Sequence, residues 1–332
     1  CIPARSSNIV ENKLQLPYPL WSLPSLMQLW REVRAADVIH LHDYLYAGNI
    51  AAFLFAKLCR KPIVITQHIG FIPYDSALLR GVLSTLNRTL GALLLGQAER
   101  TVFISEVVQT YFERQTQFRT PAQLIPNGVD TGVYVPVDAS KREQVRQDLD
   151  LPTDKPTFLF VGRFVEKKGL PILYELVQRF PSMYWIFAGW GPLDPERWDL
   201  PNVRVFRDRR GPELTPLYQT ADLLVLPSKG EGFPLVVQEA MACGTPAMVS
   251  PETASACSAA QPLIFAADVD TDAVSAWSTA LAAILQERES GLTNRRSQVA
   301  SFARKHWSWH HCAQRYLQLF QTLAAPSSNQ AP

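Results

Sequence analysis

The stretch "DLLVLPSKGEGFPLVVQEAMACGTPAMVS", residues 222–250, reads as one strand–loop–helix–strand unit. The unbroken aliphatic run of "DLLVLPS" (222–228) predicts a strand buried on both faces, ended by Pro227. "SKGEGF" follows as a loop. Pro234 suits the first helical turn, where its missing N–H would have no partner anyway. The helix then runs through Ala240 and stops near Gly244, with Pro246 beyond it. Glu231 therefore sits in the loop just outside the helix, and Glu239 lies about five residues inside it, ~7.5 Å along the axis. The backbone N–H groups of Gly232, Phe233 and Leu235 gather at the positive helix end, which favours anions and hydroxyl oxygens. Two carboxylates so placed can each accept hydrogen bonds from vicinal hydroxyls. A helix-dipole acid plus a solvated one explains them equally well from these residues alone.

Working outward, the same pattern recurs. Candidate strands are "DVIHLH" (37–42), "PIVIT" (62–66), "TVFIS" (101–105) and "AQLIP" (122–126). A second set is "TFLFVG" (157–162), "YWIFAG" (184–189), "VRVF" (203–206), "DLLVLPS", "PAMVS" (246–250) and "PLIF" (262–265). Helix-like segments fall near 48–59, 76–98, 105–115, 170–180, 212–220, 234–243 and 271–287. Apolar runs rather than strict alternation predict parallel sheets, and strand–helix alternation predicts doubly wound α/β layers. The series breaks once, between Pro126 and Pro156, where Pro, Asp and Gly surround one short charged helix near 140–149. That segment reads as the linker between two Rossmann-like halves, with ligands expected at strand carboxyl ends.

The 332 residues are 47% apolar and 19% charged, a globular balance with room for two domains. A net charge of +2 gives no argument for a nucleic-acid partner. Five scattered cysteines without a CxxC pair fit reduced thiols and a cytoplasmic setting. No apolar run is long enough to span a bilayer, and no signal peptide is visible. Residue 1 is Cys, and the natural start is expected upstream.

Three further motifs carry chemistry. In "FLFVGRFVEKKGLPIL" (158–173) a strand ends at Gly162, and Arg163 and Lys168 flank a short loop before Gly169. Two cations at the carboxyl end of a parallel strand suit a diphosphate, Arg as a fork and Lys as a point charge. A solvated basic turn is the plain alternative. In "IFAGWGPLDPE" (186–196), Gly189 and Gly191 allow close backbone approach or merely a tight turn. In "IPNGVDTGVYVP" (125–136), Asn127-Gly128 is a turn signal.

Taken in order, "HLHD", "TQHIG", "FIS", "IPNGVD", "VGRFVEKKG", "GWGP", "ADLLVLPS", "EGFPLVVQEAMACGTP" and "WSWHHCAQRY" resemble the retaining GT-B glycosyltransferases of family 4, from about residue 36 to about 323. The resemblance implies an α/β fold of two Rossmann-like doubly wound domains facing a cleft, with the final helix crossing back to the first domain. The implied division is 1–137 as an acceptor-side domain lacking its first strand or two, 138–305 as the nucleotide-sugar domain, and 306–325 as the crossing helix. It implies transfer of a sugar from a UDP- or GDP-linked donor to a hydroxyl of a glycan or lipid-linked acceptor, with retention. Arg163 and Lys168 would contact the diphosphate, and Glu239 the ribose hydroxyls. Glu231 and His68 would face the sugar, beside the amides of Gly232 and Phe233, with Pro234, Leu235, Gly162 and Asn127 completing the donor site. No cofactor and no metal are expected. The "SPETASACSAA" segment and "FRDRRG" (206–211) depart from the family pattern, which leaves the first unassigned and the base contacts open.

Other candidates have plainer readings. His40, His42 and Asp43 lie too close on one strand for a closed metal site. His306, His310 and His311 suit a packed helix, and the DxD triplets at 148–150 and 268–270 arise cheaply by chance. Segment 76–100 presents Leu79, Val82, Leu83, Leu86, Leu90, Leu93 and Leu94 on one face, with Arg80 and Arg88. It reads as a core helix, or as an interfacial helix at the inner face of a cytoplasmic membrane. A non-catalytic nucleotide-sugar-binding relic and a sugar-nucleotide epimerase stand as alternative functions.

Overall fold

The computed structural model describes residues 2–3, 6–7, 20–70, 76–286 and 289–324. The chain forms two compact units, residues 1–126 with 313–332, and residues 127–312.

In the first unit, β1 (Ile39–His42), β2 (Ile63–Gln67), β3 (Arg100–Phe103) and β4 (Gln123–Leu124) form a parallel sheet in sequence order. The helices are α1 (Leu23–Ala35), α2 (Ala47–Leu58), α3 (Ala77–Leu86), α4 (Ala92–Gln97) and α5 (Glu106–Glu113). Ser22, Ser76 and Ser105 cap α1, α3 and α5 by accepting from N3 amides. The core gathers Ile63, Ile65, Leu95, Phe103 and Phe112.

The helix expected across 76–98 is interrupted by a π-turn at Asn87–Gly91. The cause is Tyr44, a buried side chain whose hydroxyl donates to Asn87 Oδ1, while Asn87 Nδ2 donates to Tyr111 at 2.9 Å. A Cβ at Gly91 would lie 2.8 Å from the Tyr44 ring, so the wide turn and the glycine make room for that phenol. In α3 no residue is fully buried. Leu79, Leu83, Leu86 and Leu90 are half-buried, Leu94 is buried, and Leu78, Val82 and Leu93 are exposed.

In the second unit, the strands are β5 (Thr157–Arg163), β6 (Tyr184–Trp190), β7 (Val203–Phe206), β8 (Leu223–Leu226), β9 (Ala247–Val249) and β10 (Phe265–Ala266). They pair all-parallel in the order β10-β9-β8-β5-β6-β7. In chain order this is 3-2-1-4-5-6 read from the β7 edge, the dinucleotide-binding arrangement, and its order reverses between β5 and β8. The strand expected at "PLIF" starts later, because Pro262 and Leu263 belong to a 3-10 turn.

The helices are α6 (Ala139–Asp148), α7 (Leu170–Arg179), α8 (Thr215–Thr220), α9 (Leu235–Ala242), α10 (Pro251–Ala254), α11 (Ala273–Gln286) and α12 (Glu289–Trp307), followed by α13 (Trp309–Ala324). Helices α1 and α12 were not among the expected segments. Helix α12 lacks a strong apolar stripe; its buried positions include the small residues Ala300 and Ala303, with Val299 and Trp307. From residue 313 onward, α13 belongs to the first unit.

Asp222 anchors the start of β8. Its carboxylate meets Arg142 at 2.5 Å and Arg146 at 2.8 Å and accepts the Thr157 amide at 2.8 Å. These contacts hold its pKa below the usual carboxylate range against the opposing effect of burial. Gly169, at the start of α7, has φ +79°, and a Cβ there would stand 2.3 Å from Pro227 O. The turn after β5 is thereby pressed onto the end of β8, where only glycine fits. Gly169→Ala should cost at least about 2 kcal/mol from backbone strain alone. The urea midpoint measures this, and an unchanged midpoint would refute the close-approach argument.

Candidate functional site

The carboxyl ends of β5 and β8 bring together residues about 65 positions apart in sequence, as the pairing of Phe158 with Leu223 and Leu159 with Leu224 requires. Arg163 ends β5, the turn after it carries Lys167 and Lys168, and the loop after β8 carries Ser228 to Phe233. The two segments are stitched by Lys229 N–H donating to Lys167 O at 3.1 Å.

Lys168 and Glu231 meet. Lys168 Nζ lies 2.6 Å from Glu231 Oε1, and both side chains are mostly buried. The ammonium is thus fixed at the strand end by a carboxylate with its second oxygen still available. Beside it, Ser228 Oγ is buried without a hydrogen-bond partner among the described residues. Arg163 takes a different partner. Its guanidinium lies over the Trp190 ring, 5.0 Å from the centroid.

Helix α9 starts one residue later than expected. Pro234 is its N-cap, in an extended conformation, and its carbonyl accepts from Val237 N–H at 3.1 Å. Gly232 and Phe233 N–H groups have no acceptor among the described residues. They lie beside Glu231 at the positive helix end. Phe233 is buried edge-on against Trp307, with centroids 5.3 Å apart, and Leu235 is exposed.

Glu239 is held from behind. The Tyr218 hydroxyl donates to Glu239 Oε2 at 2.6 Å, and the Tyr134 hydroxyl bonds the same carboxylate. Burial raises the Glu239 pKa, and the two phenols oppose that rise by stabilising the anion. Burial and the neighbouring carboxylate push both phenols upward, so they act as fixed donors. Asn127 contributes its carbonyl, which accepts from the buried Gln238 Nε2 at 2.7 Å. Gly162 pairs with Gly189 across β5 and β6 at the strand ends.

Several supports were not visible in the sequence pattern. Glu252, in the unassigned segment after Ser250, accepts from Gly230 N–H at 3.0 Å and so fixes the glycine loop. Tyr134, Tyr218 and Trp190 are the others. Only Trp190 had a local cue, an aromatic set between Gly189 and Gly191.

In the first unit, His68 follows β2. Its amide donates to Asp43 Oδ1 at 2.9 Å, and its Nε2 lies 2.9 Å from His42 Nδ1. The His40 ring packs tilted against His42, centroids 4.4 Å apart, and its Nε2 lies 2.8 Å from Thr66 Oγ1, which in turn meets Tyr316 of α13 at 2.8 Å. The three histidines pack ring against ring, with one hydrogen bond between His42 and His68, and among the described residues no group of three or more His, Cys, Asp or Glu side chains is arranged to hold a metal. Burial, and then the nearness of His42 and His68, lowers the His40 pKa to about 4. Burial also lowers that of His68, opposed by Asp43.

Two measurements test these assignments. Tyr218→Phe removes a donor that lowers the Glu239 pKa, so carboxyl-carbon NMR should show Glu239 titrating at higher pH; a downward move would contradict the assignment. His40 is neutral when folded and ionises near 6.5 when unfolded, so its contribution is intact above pH 6.5 and is lost as pH falls toward 4. The loss should reach on the order of 3 kcal/mol. His40→Gln should flatten that part of the stability–pH curve, and an equal slope in the variant would exclude His40 as its source.

Comparison with known proteins accords with this geometry. The model for glycosyl transferases group 1 matches residues 141–306, half of the chain, and that for glycosyltransferase family 4 matches residues 5–133. A D-inositol 3-phosphate glycosyltransferase of Xylanimonas cellulosilytica is 30% identical over 238 residues, covering 64% of this chain and 55% of the relative. One from Mycolicibacterium smegmatis is 27% identical over 291 residues, covering 83% and 64%. The chain thus spans between about half and two thirds of these relatives' length. Among solved structures, sucrose-phosphate synthase from Thermosynechococcus elongatus superposes with TM-score 0.73 at 22% identity, covering 91% of this chain and 78% of that one. Anabaena HepE in complex with UDP-glucose gives 0.71 at 18% identity, covering 90% and 82%. Two parallel-sheet α/β units, this GT-B likeness and the two adjoining family matches identify the chain as a member of the glycosyl transferases group 1, with a family 4 N-terminal segment.

Proposed function

We propose that this protein transfers a hexose-type residue from a UDP- or GDP-linked donor to a hydroxyl of a glycan or lipid-linked acceptor, with retention of anomeric configuration. The observation that carries this reading is the Lys168–Glu231 pair at the β5/β8 reversal, with Arg163 on the same strand end. Cations and free amides at a Rossmann switch point suit a diphosphate leaving group. HepE, crystallised with UDP-glucose, shares the fold, which supports a nucleotide-sugar donor.

In the proposed step the acceptor oxygen attacks the anomeric carbon from the face the diphosphate leaves. The anomeric C–O bond breaks, its electron pair goes to the diphosphate, and a diphosphate oxygen takes the acceptor proton. Arg163, Lys168 and the amides of Gly232 and Phe233 stabilise the developing negative charge. Glu239, pre-oriented by its two phenols, receives the ribose hydroxyls, and Glu231 receives sugar hydroxyls through its second oxygen. His68 is a sugar-binding residue in this reading. The step uses no cofactor and no metal.

A cytoplasmic location with peripheral membrane contact completes the proposal. Leu78, Val82 and Leu93 stand exposed in the same segment as the exposed Arg88, a composition that suits an anionic lipid surface. Among the described residues no helix is long and apolar enough to cross a membrane.

The deciding experiment is a donor screen with NMR of the product's anomeric centre. An α-linked donor should give an α-linked product, insensitive to EDTA. Lys168→Ala should lower turnover by about 10²–10³-fold while the chain still folds cooperatively in a urea titration. Near-wild-type transfer by that variant would refute the phosphate role. Release of a sugar with one inverted hydroxyl, without acceptor consumption, would replace the reading with an epimerase. Binding without transfer would leave a nucleotide-sugar-binding relic.

A further inference from the structure

Trp190 has no role in the reading above, yet its placement is closely determined. Its indole is 58% exposed, at the carboxyl end of the strand next to β5. Three backbone features lock it there. Arg163 and Trp190 are register partners in the parallel sheet. The Phe164 amide donates to Trp190 O at 2.8 Å. Gly189 on one side is in a left-handed-region conformation with φ +149°, and a Cβ there would strike Gly162 O at 1.9 Å. An exposed aromatic of this size, held so firmly, calls for a use.

Its neighbour supplies one. Arg163 is exposed and has no carboxylate within ion-pair distance among the described residues. The contrast with the adjacent Lys168 is informative, because that cation is paired with Glu231 at 2.6 Å. Arg163 is oriented instead by the indole face, 5.0 Å from the ring centroid. A carboxylate would fix the guanidinium and cancel its charge together. An aromatic face orients the cation and leaves the in-plane N–H donors and the charge available.

We propose that Trp190 is a positioning residue of the donor site, holding the Arg163 guanidinium aimed and uncompensated for the diphosphate of a nucleoside diphosphate. The inference rests on the reading of Arg163 as a diphosphate ligand and adds the group that sets its geometry. It accounts for a bulky aromatic between Gly189 and Gly191, where a tight turn alone needs none.

The test is calorimetric titration of UDP and GDP into the full chain and into Trp190→Leu, Trp190→Phe, Arg163→Ala and the Arg163→Ala/Trp190→Leu double variant. Trp190→Leu should weaken binding about two- to fivefold, and Trp190→Phe should restore most of the loss. The Trp190→Leu effect should vanish in the Arg163→Ala background, an interaction that a merely structural tryptophan would not show. Arg163 side-chain protons should also lose an upfield ring-current shift in Trp190→Leu. Wild-type affinity in Trp190→Leu overturns the inference alone. So does an equal loss with and without Arg163, which would mean that the indole contacts the nucleotide itself. A wild-type chain that binds neither nucleotide overturns the donor reading and this inference together.

Discussion

The alignment of Phe158 with Leu223 and Leu159 with Leu224 is the contact on which the site depends. Strand order reverses at this seam, so the helices following β5 and β8 go to opposite faces and the two loops are left side by side. Most candidate donor groups in the second unit follow from that adjacency. Arg163 and Lys168 leave one strand, Ser228 and Glu231 leave the other, and α9 begins just beyond. The seam is secured away from the site by Asp222, whose two arginines and one amide compensate a largely buried charge. Breaking one member of such a cluster costs far more than an exposed ion pair contributes, so the register is fixed at the end remote from the chemistry.

The two acidic residues of the opening stretch differ in what holds them. Glu231 is engaged by a cation and Glu239 by two phenols. A phenol donor leaves the carboxylate charge in place and fixes the plane of its oxygens. A cation partner lowers the net field at the same point. The pair Lys168–Glu231 therefore tunes local charge, and the group Tyr134–Glu239–Tyr218 tunes direction. Arg163, backed by an indole, retains charge and direction together.

Strands of the parallel sheets were legible because burial on both faces leaves continuous aliphatic runs such as "LLVL" and "IVIT". The cations of "VGRFVEKKG" were legible because they follow such a run directly. What escaped was whatever depends on residues distant in sequence. Tyr218 reaches Glu239 across 21 positions, and Glu252 reaches Gly230 across 22, with no local pattern to announce either. The π-turn at Asn87–Gly91 escaped for the same reason, since its cause is a tyrosine 43 positions away. Pro234 was displaced by one position because N-cap and first-turn prolines share the same fixed φ.

Thr66 and Tyr316 are hydrogen-bonded across 250 residues of chain. The first unit is closed by a segment that follows the second unit, so a ribosome must deliver the whole second unit before that closure can form. Until then Thr66 and His40 lack the phenol and rings of α13, and an early folding unit is left with an unfinished wall. The two units are thus sequential in synthesis and interleaved in completion. A shuffling event that exchanged one unit for another would have to cut the chain twice, near residue 126 and again near residue 312, to leave both whole.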